Sequence, residues 1–216
     1  MRKIFTLIAA VAMATSMNAQ TITFGDVAVL NADLQTEWIN GDVKLVIVKD
    51  AKPSIDLNSA YFGTAEATTQ YTSRLKMGGK SSSTRSLALT VPSDGIVKVA
   101  ARSSNKDAID RTVVLNQDGQ DLVSQLVYDA QAISVDSKTV YPYVTANVKA
   151  GTIAVNFPID GINFYAFEFT ATTTTTGIKN VSTSTNSQEV YNLAGQRVSN
   201  TYKGVIIQDG KKFVQK

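Results

Sequence analysis

The chain has 216 residues, 44% hydrophobic and 18% charged, with a formal charge of +3. It contains neither histidine nor cysteine, which excludes Ser-His-Asp triads, Cys-His pairs, disulfides, histidine metal centres and the acylated cysteine of a bacterial lipoprotein. No basic stripe stands out beyond Lys211-Lys212, so nucleic acid is not an expected partner.

The first residues read as an export signal. Basic Arg2 and Lys3 precede a largely apolar run from Ile4 to Met13, and Thr15 and Ser16 then lead into Met17-Asn18-Ala19-Gln20. The core is too short for a permanent membrane span, and small Ala19 suits the residue before a cut. Residues 1–19 are therefore the expected signal peptide. The mature chain keeps 19 basic against 18 acidic residues and is close to neutral. No later segment is apolar enough to cross a membrane as a helix. The expected location is extracellular, at the outer cell surface or in the periplasm.

From residue 20 to 170, short stripes of period two follow one another. Val43 to Val48 is a β-branched run. Tyr71, Ser73, Leu75 and Met77 alternate with Thr72, Arg74 and Lys76; Leu87, Leu89 and Val91 with Ser86, Ala88 and Thr90; Val97, Val99 and Ala101 with Lys98 and Arg102. Ile153, Val155 and Phe157, then Tyr165, Phe167 and Phe169, repeat the pattern. Gly78-Gly79, Pro92-Ser93-Asp94-Gly95, Asp118-Gly119, Ala150-Gly151 and Asp160-Gly161 mark turns between them. Strands of this length and spacing predict an all-β antiparallel sandwich of the jelly-roll kind. Residues 121–128 read as strand or helix, because Leu122, Val123, Leu126 and Val127 also fit helical spacing.

Residues 171–187 contain Thr172 to Thr176 in succession and few apolar groups, so they read as a linker. The alternative is a last edge strand running through the threonines. Residues 188–216 predict a small β-meander, with a turn at Ala194-Gly195-Gln196 and a hairpin around Asp209-Gly210.

Two groups of motifs resemble known families. Arg74-Leu75-Lys76-Met77-Gly78-Gly79, the stretch Ser103-Ser104-Asn105 to Asp110-Arg111-Thr112-Val113-Val114-Leu115, and Gly161-Ile162-Asn163-Phe164-Tyr165 are similar to jelly-roll, carbohydrate-binding-like domains attached to secreted pectate lyases and other bacterial polysaccharide-degrading proteins. The resemblance spans residues 65–170, and the lyase domain has no counterpart here, so it implies a module that holds polysaccharide without cutting it. Tyr191-Asn192-Leu193-Ala194-Gly195-Gln196-Arg197-Val198, followed by Lys203-Gly204-Val205-Ile206-Ile207 and Gly210-Lys211-Lys212, resembles C-terminal tails read by the type IX secretion system of Gram-negative bacteria. That resemblance implies secretion machinery as a partner.

The chemistry-bearing residues give candidate sites but no catalytic constellation. Tyr141 and Tyr143 flank Pro142 and share a strand face, a candidate stacking platform for sugar rings. Arg74 and Lys76 on one strand face, with Arg102, form a candidate basic patch for uronates and, with Arg111, are the bases a lyase would find. Arg111 falls in phase with Val113 and Leu115, which turns it inward and predicts a structural ion pair with Asp107 or Asp110, its loss costing about 2–4 kcal/mol. Asn116, Asp118 and Asp121 offer oxygens to calcium, but Asp118-Gly119 is sufficiently explained as a turn, so no cofactor is expected. Trp38, the single tryptophan, is expected in the core. These readings leave three function classes: a glycan-binding module, a surface adhesin or structural protein, and an accessory lyase or glycosidase of weak activity. Mass spectrometry of exported protein is expected to find Gln20 at the N-terminus; an intact Met1 there would overturn the export reading.

Overall fold

The computed structural model describes residues 19–172, 190–199, 202–208 and 211–215. The apolar core of the expected signal peptide, most of the expected linker and the Asp209-Gly210 turn lie outside the described residues. The chain divides into two compact units, residues 1–173 and 174–216.

The first unit is built of strands β1 (Gln20–Ile22), β2 (Glu37–Asn40), β3 (Val43–Val48), β4 (Ser54–Gly63), β5 (Thr68–Lys76), β6 (Ser86–Val91) and β7 (Gly95–Ser103). β8 (Thr112–Gln117), β9 (Gln120–Leu126), β10 (Ile133–Val135), β11 (Lys138–Tyr141), β12 (Val144–Val148), β13 (Gly151–Asn156) and β14 (Ile162–Ala171) complete it. The only helical elements among the described residues are two single turns, Asn31–Asp33 and Asp129–Gln131. None is long and apolar enough to cross a membrane. Residues 120–126 are strand: Asp118 and Gly119 both take positive φ, 53° and 81°, and the resulting tight turn pairs β8 with β9.

The strands form two sheets. One has the order β10-β11-β4-β5-β14-β7-β12, with β1 also on β14; the other has the order β2-β3-β6-β13-β8-β9. Within them, β5-β14-β7-β12 faces β6-β13-β8-β9, the strand order of a jelly roll. All pairings are antiparallel except β11 with β4. Alternate residues of both sheets meet in one core, among them Leu45, Leu89, Val99, Val113, Ile153 and Phe167. Trp38 takes its expected place there, edge-on to Phe24 at 5.4 Å.

β14 departs from simple alternation. Ile162 to Phe167 are all buried, and the register with β7 slips between Phe164 and Ala166. Phe164 and Phe167 stay in the sandwich core, whereas Tyr165 and Ala166 join Ala60, Phe62, Tyr71, Ala100 and Tyr141 in a second core on the other face. At the same place β5 leaves β14. It pairs only at Lys76 and Leu75, and beyond the bulge β1 occupies that edge.

The large sheet must therefore curl. β11 and β12 are separated on its path by four strands, about 24 Å at about 4.8 Å per spacing. Only Pro142 and Tyr143 connect them, a reach of about 11 Å. The hairpins β4–β5 and β10–β11 swing over the outer face until Tyr141 meets Arg102 of β7. Phe62 is the centre of the lobe so formed, its ring 5.1–5.9 Å from those of Tyr71, Tyr141, Tyr143 and Tyr165.

The second unit is a four-stranded sheet of β15 (Val190–Asn192), β16 (Arg197–Val198), β17 (Gly204–Gln208) and β18 (Lys211–Gln215), in the order β16-β15-β17-β18. Its first turn explains the Tyr191–Val198 motif. The Asn192 side-chain oxygen accepts the backbone N–H groups of Ala194 and Gln196, and Gly195 supplies the positive φ of 76°.

Phe62 is fully buried. Phe62→Ala is expected to lower stability by about 3–5 kcal/mol in urea titrations. A loss under about 1 kcal/mol would mean that the lobe does not depend on this core.

Candidate functional site

The lobe covers the middle of the large sheet's outer face, over Ala100, Tyr165 and Ala166. A polar strip lies on either side of it. In the first strip, Lys76, Asn163 and Arg102 align across β5, β14 and β7, while neighbouring Leu75, Ile162 and Phe164 point into the core.

Two residues back along β5, Arg74 meets Asp56 of β4 in a forked contact, Nε to Oδ1 at 2.7 Å and Nη2 to Oδ2 at 3.2 Å. Lys76 reaches the same carboxylate at 3.4 Å. Partial burial opposes ionisation of Asp56, but the hydrogen bond and charge of Arg74, with Lys76 beside them, outweigh it and hold the carboxyl below its ordinary range. Lys76 is the most open of the three, its side chain 43% exposed against 16% for Arg74.

Arg102 lies 5.0 Å from the Tyr141 ring centroid and donates from Nη1 to its hydroxyl at 3.2 Å. That hydroxyl donates to Asp129 at 3.0 Å. Burial pushes the Tyr141 phenol up to about 12, with Arg102 opposing and Asp129 adding to the rise. Arg102 Nε and Asn163 Oδ1, a donor and an acceptor in the same row, are both buried without a protein partner.

On the far side of the lobe, Thr21, Glu168, Lys98 and Thr145 align across β1, β14, β7 and β12. Tyr71 donates to Glu168, and its oxygen lies 3.0 Å from that of Tyr143. Lys98 sits 5.7 Å from the Tyr143 ring centroid. Where β5 has parted from β14, a cleft of about 240 Å³ opens between Gln70–Ser73 and the segment after β1. A second cavity, about 270 Å³ and lined by Phe24, Val29, Leu34, Trp38 and Ile55, is an end of the sandwich core.

The candidate residues thus divide. Arg74, Lys76 and Arg102 converge on one strip. Tyr141 and Tyr143 do not make a shared platform: Tyr141 is only 5% exposed, and the two rings lie against Phe62 with hydroxyls directed to opposite strips. The Phe62 lobe, which takes up both rings, is the reason. The three motif segments that carry the module resemblance do meet in space. Ser104 N–H bonds to Gly161 O, Met77 N–H bonds to Ile162 O, and a Cβ on Gly161 would come within 3.1 Å of the Gly79 nitrogen.

Arg111 pairs with Asp110 and, at 2.9 Å, with Asp160; Asp107 is not its partner, since the turn held by Asn105 leaves Asp107 exposed. Arg85 was the residue sequence reasoning missed. Only 7% exposed, it makes a fork to Asp50 and donates to Lys80 O at 3.0 Å. The signal was present, because Arg85 stands in phase with Leu87 and Leu89 just as Arg111 does with Val113 and Leu115. Asn116 donates to Asp121 at 2.6 Å, which engages an oxygen otherwise offered to calcium. No cluster of three or more metal-ligating side chains occurs among the described residues.

No family model matches the chain, and no curated protein does. One solved structure, from work on how the complexity of the Ruminococcus flavefaciens cellulosome reflects an expansion in glycan recognition, aligns with 71% of this chain and 94% of its own. The identity is 16% and the TM-score 0.37, a likeness that assigns neither ligand nor residue role here.

Both carboxylates around Arg111 are 54% exposed, so Arg111→Ala is expected to cost about 1–2 kcal/mol in urea titrations, less than a fully buried pair. A loss above about 3 kcal/mol would restore the buried reading. The depressed pKa of Asp56 means its contribution is present above the ordinary carboxylate value near 3.9 and is lost as pH falls through the folded value. The stability gap between the parent and Asp56→Asn should therefore narrow from about pH 6 to about pH 3; a constant gap would show that the ionised pair contributes nothing.

Proposed function

We propose that this chain is an exported, non-catalytic carbohydrate-binding module for an acidic, uronate-containing polysaccharide. The observation that carries the reading is the alignment of half-exposed Lys76 and partly exposed Arg102 on either side of buried Asn163 across three strands, with Arg74 beside them. Two cations two strand spacings apart, about 10 Å, suit a polymer whose carboxylates repeat along its length, and a guanidinium suits a carboxylate's two oxygens. Arg74 is committed to Asp56, so it positions the strip, and Lys76 and Arg102 are the contact residues. Asp56 keeps the neighbouring cations from repelling one another while leaving Lys76 partly free. Affinity is expected to be modest, because a shallow polar face orders flexible side chains and displaces bound water.

The second unit, residues 188–216 by sequence, is read as a sorting tail that delivers the module to the surface.

Affinity electrophoresis tests the binding reading. The parent should be retarded in polygalacturonate gels, and more weakly at physiological than at low salt, since exposed charges are screened. Lys76→Ala should reduce the retardation, with a thermal melt confirming the fold. A folded parent retarded by neither acidic nor neutral polysaccharide would replace this reading with that of a surface adhesin or structural protein.

A further inference from the structure

The geometry points to a second subsite, for a single neutral sugar ring, in the cleft where β5 has parted from β14. This rests on the carbohydrate reading above and narrows its ligand to a heteropolysaccharide that carries neutral residues as well as uronates.

The cleft follows from the fold. β5 pairs with β14 only at Leu75 and Lys76, and β1 takes over the edge at Phe167 to Phe169. Between them remains a space of about 240 Å³. Drug-sized ligands use about 300–1,000 Å³, so the space suits one ring.

Its lining specifies the chemistry. Thr23 and Thr72 contribute hydroxyls and Gln70 a carboxamide, groups that both donate and accept. Sugar hydroxyls do the same. Asp26 is the one charged lining residue and accepts only. A uronate or phosphate entering here would meet a carboxylate and no cation, whereas a neutral ring would find an acceptor for its hydroxyls. The Tyr71 hydroxyl is already engaged with Glu168 and Tyr143, so that residue offers the edge of its ring as a wall.

The two subsites share a strand. Gln70, Thr72, Arg74 and Lys76 alternate with Tyr71, Ser73 and Leu75, which are buried. Thr72 and Lys76 are about 13 Å apart along β5, at about 3.3 Å per residue. One polymer chain following this strand meets cations at its end and neutral hydrogen-bonding groups at its middle.

Amide-resolved NMR titration of the full exported chain with methyl galactoside, methyl glucoside and galacturonate tests the assignment. The neutral glycosides should shift Gly25, Gln70 and Thr72, and galacturonate should shift Lys76, Arg102 and Asn163. Thr72→Trp, which fills the cleft from an exposed position, should weaken the neutral response at least tenfold and leave the galacturonate response intact; Gln70→Ala should weaken it in the same direction. If galacturonate shifts its own strip while neither glycoside moves Gly25, Gln70 or Thr72, the second subsite is wrong and the acidic-glycan reading stands. A folded Thr72→Trp that binds the glycosides unchanged would equally overturn the second subsite. If no sugar shifts either region, the carbohydrate reading itself is overturned.

Discussion

The bulge between Phe164 and Ala166 is the constraint to which the surrounding structure answers. It lets one strand bury Phe164 and Phe167 on one face and Tyr165 on the other. A two-sheet sandwich normally buries one face of each sheet, and a tyrosine fully buried on the outer face needs a cover of its own. The β4–β5 and β10–β11 hairpins supply it, with Phe62 against four tyrosine rings and Asn58 accepting from the Tyr165 hydroxyl at 3.2 Å. The cover leaves the outer face open only at its two ends, and it draws β5 away from β14. The polar strips and the cleft between β5 and β1 are therefore consequences of one extra residue.

Much of the sandwich could be read from periodicity. Residues 87–91 and 153–156 alternate because each packs one face on the core, and they are strands as expected; β7 is a strand too, but Ala100 is buried under the lobe on its other face. β4 was harder to read, since a register slip between Leu57 and Ala60 breaks its alternation. Residues 121–128 kept a helical reading because Leu122, Val123 and Leu126 lie on an edge strand that is only partly covered, where packing does not enforce period two. A β-bulge has no composition of its own, so the second core was not visible in advance. For that reason Tyr141 and Tyr143 read as a surface platform, whereas Tyr141 is buried in the second core and Tyr143 packs half-buried against it.

The charged residues show the same division between local and distant information. Lys76 and Arg102 could be picked out as outward-facing cations from strand phase alone. Their convergence depends on β14 lying between β5 and β7, an adjacency that links residues far apart in the chain. In-phase Arg111 was recognised as an inward cation, yet Asp160, its partner across 49 residues, was not. Phase reveals that a buried charge needs a partner; only the tertiary fold reveals which one.

The pairing of β1 with β14 has a bearing on how the large sheet comes together. β14 also borders β5 and β7, and it is the last strand of its unit. A chain emerging from its N-terminus carries β1, β5 and β7 without their common neighbour until residues 162–171 arrive. Until then the large sheet is three pieces, β10-β11-β4-β5, β7-β12 and β1 alone, and pairing β1 with β14 closes a long loop. The unit's first and last strands thus lie side by side, and a chain cut before residue 162 lacks the strand that joins those pieces.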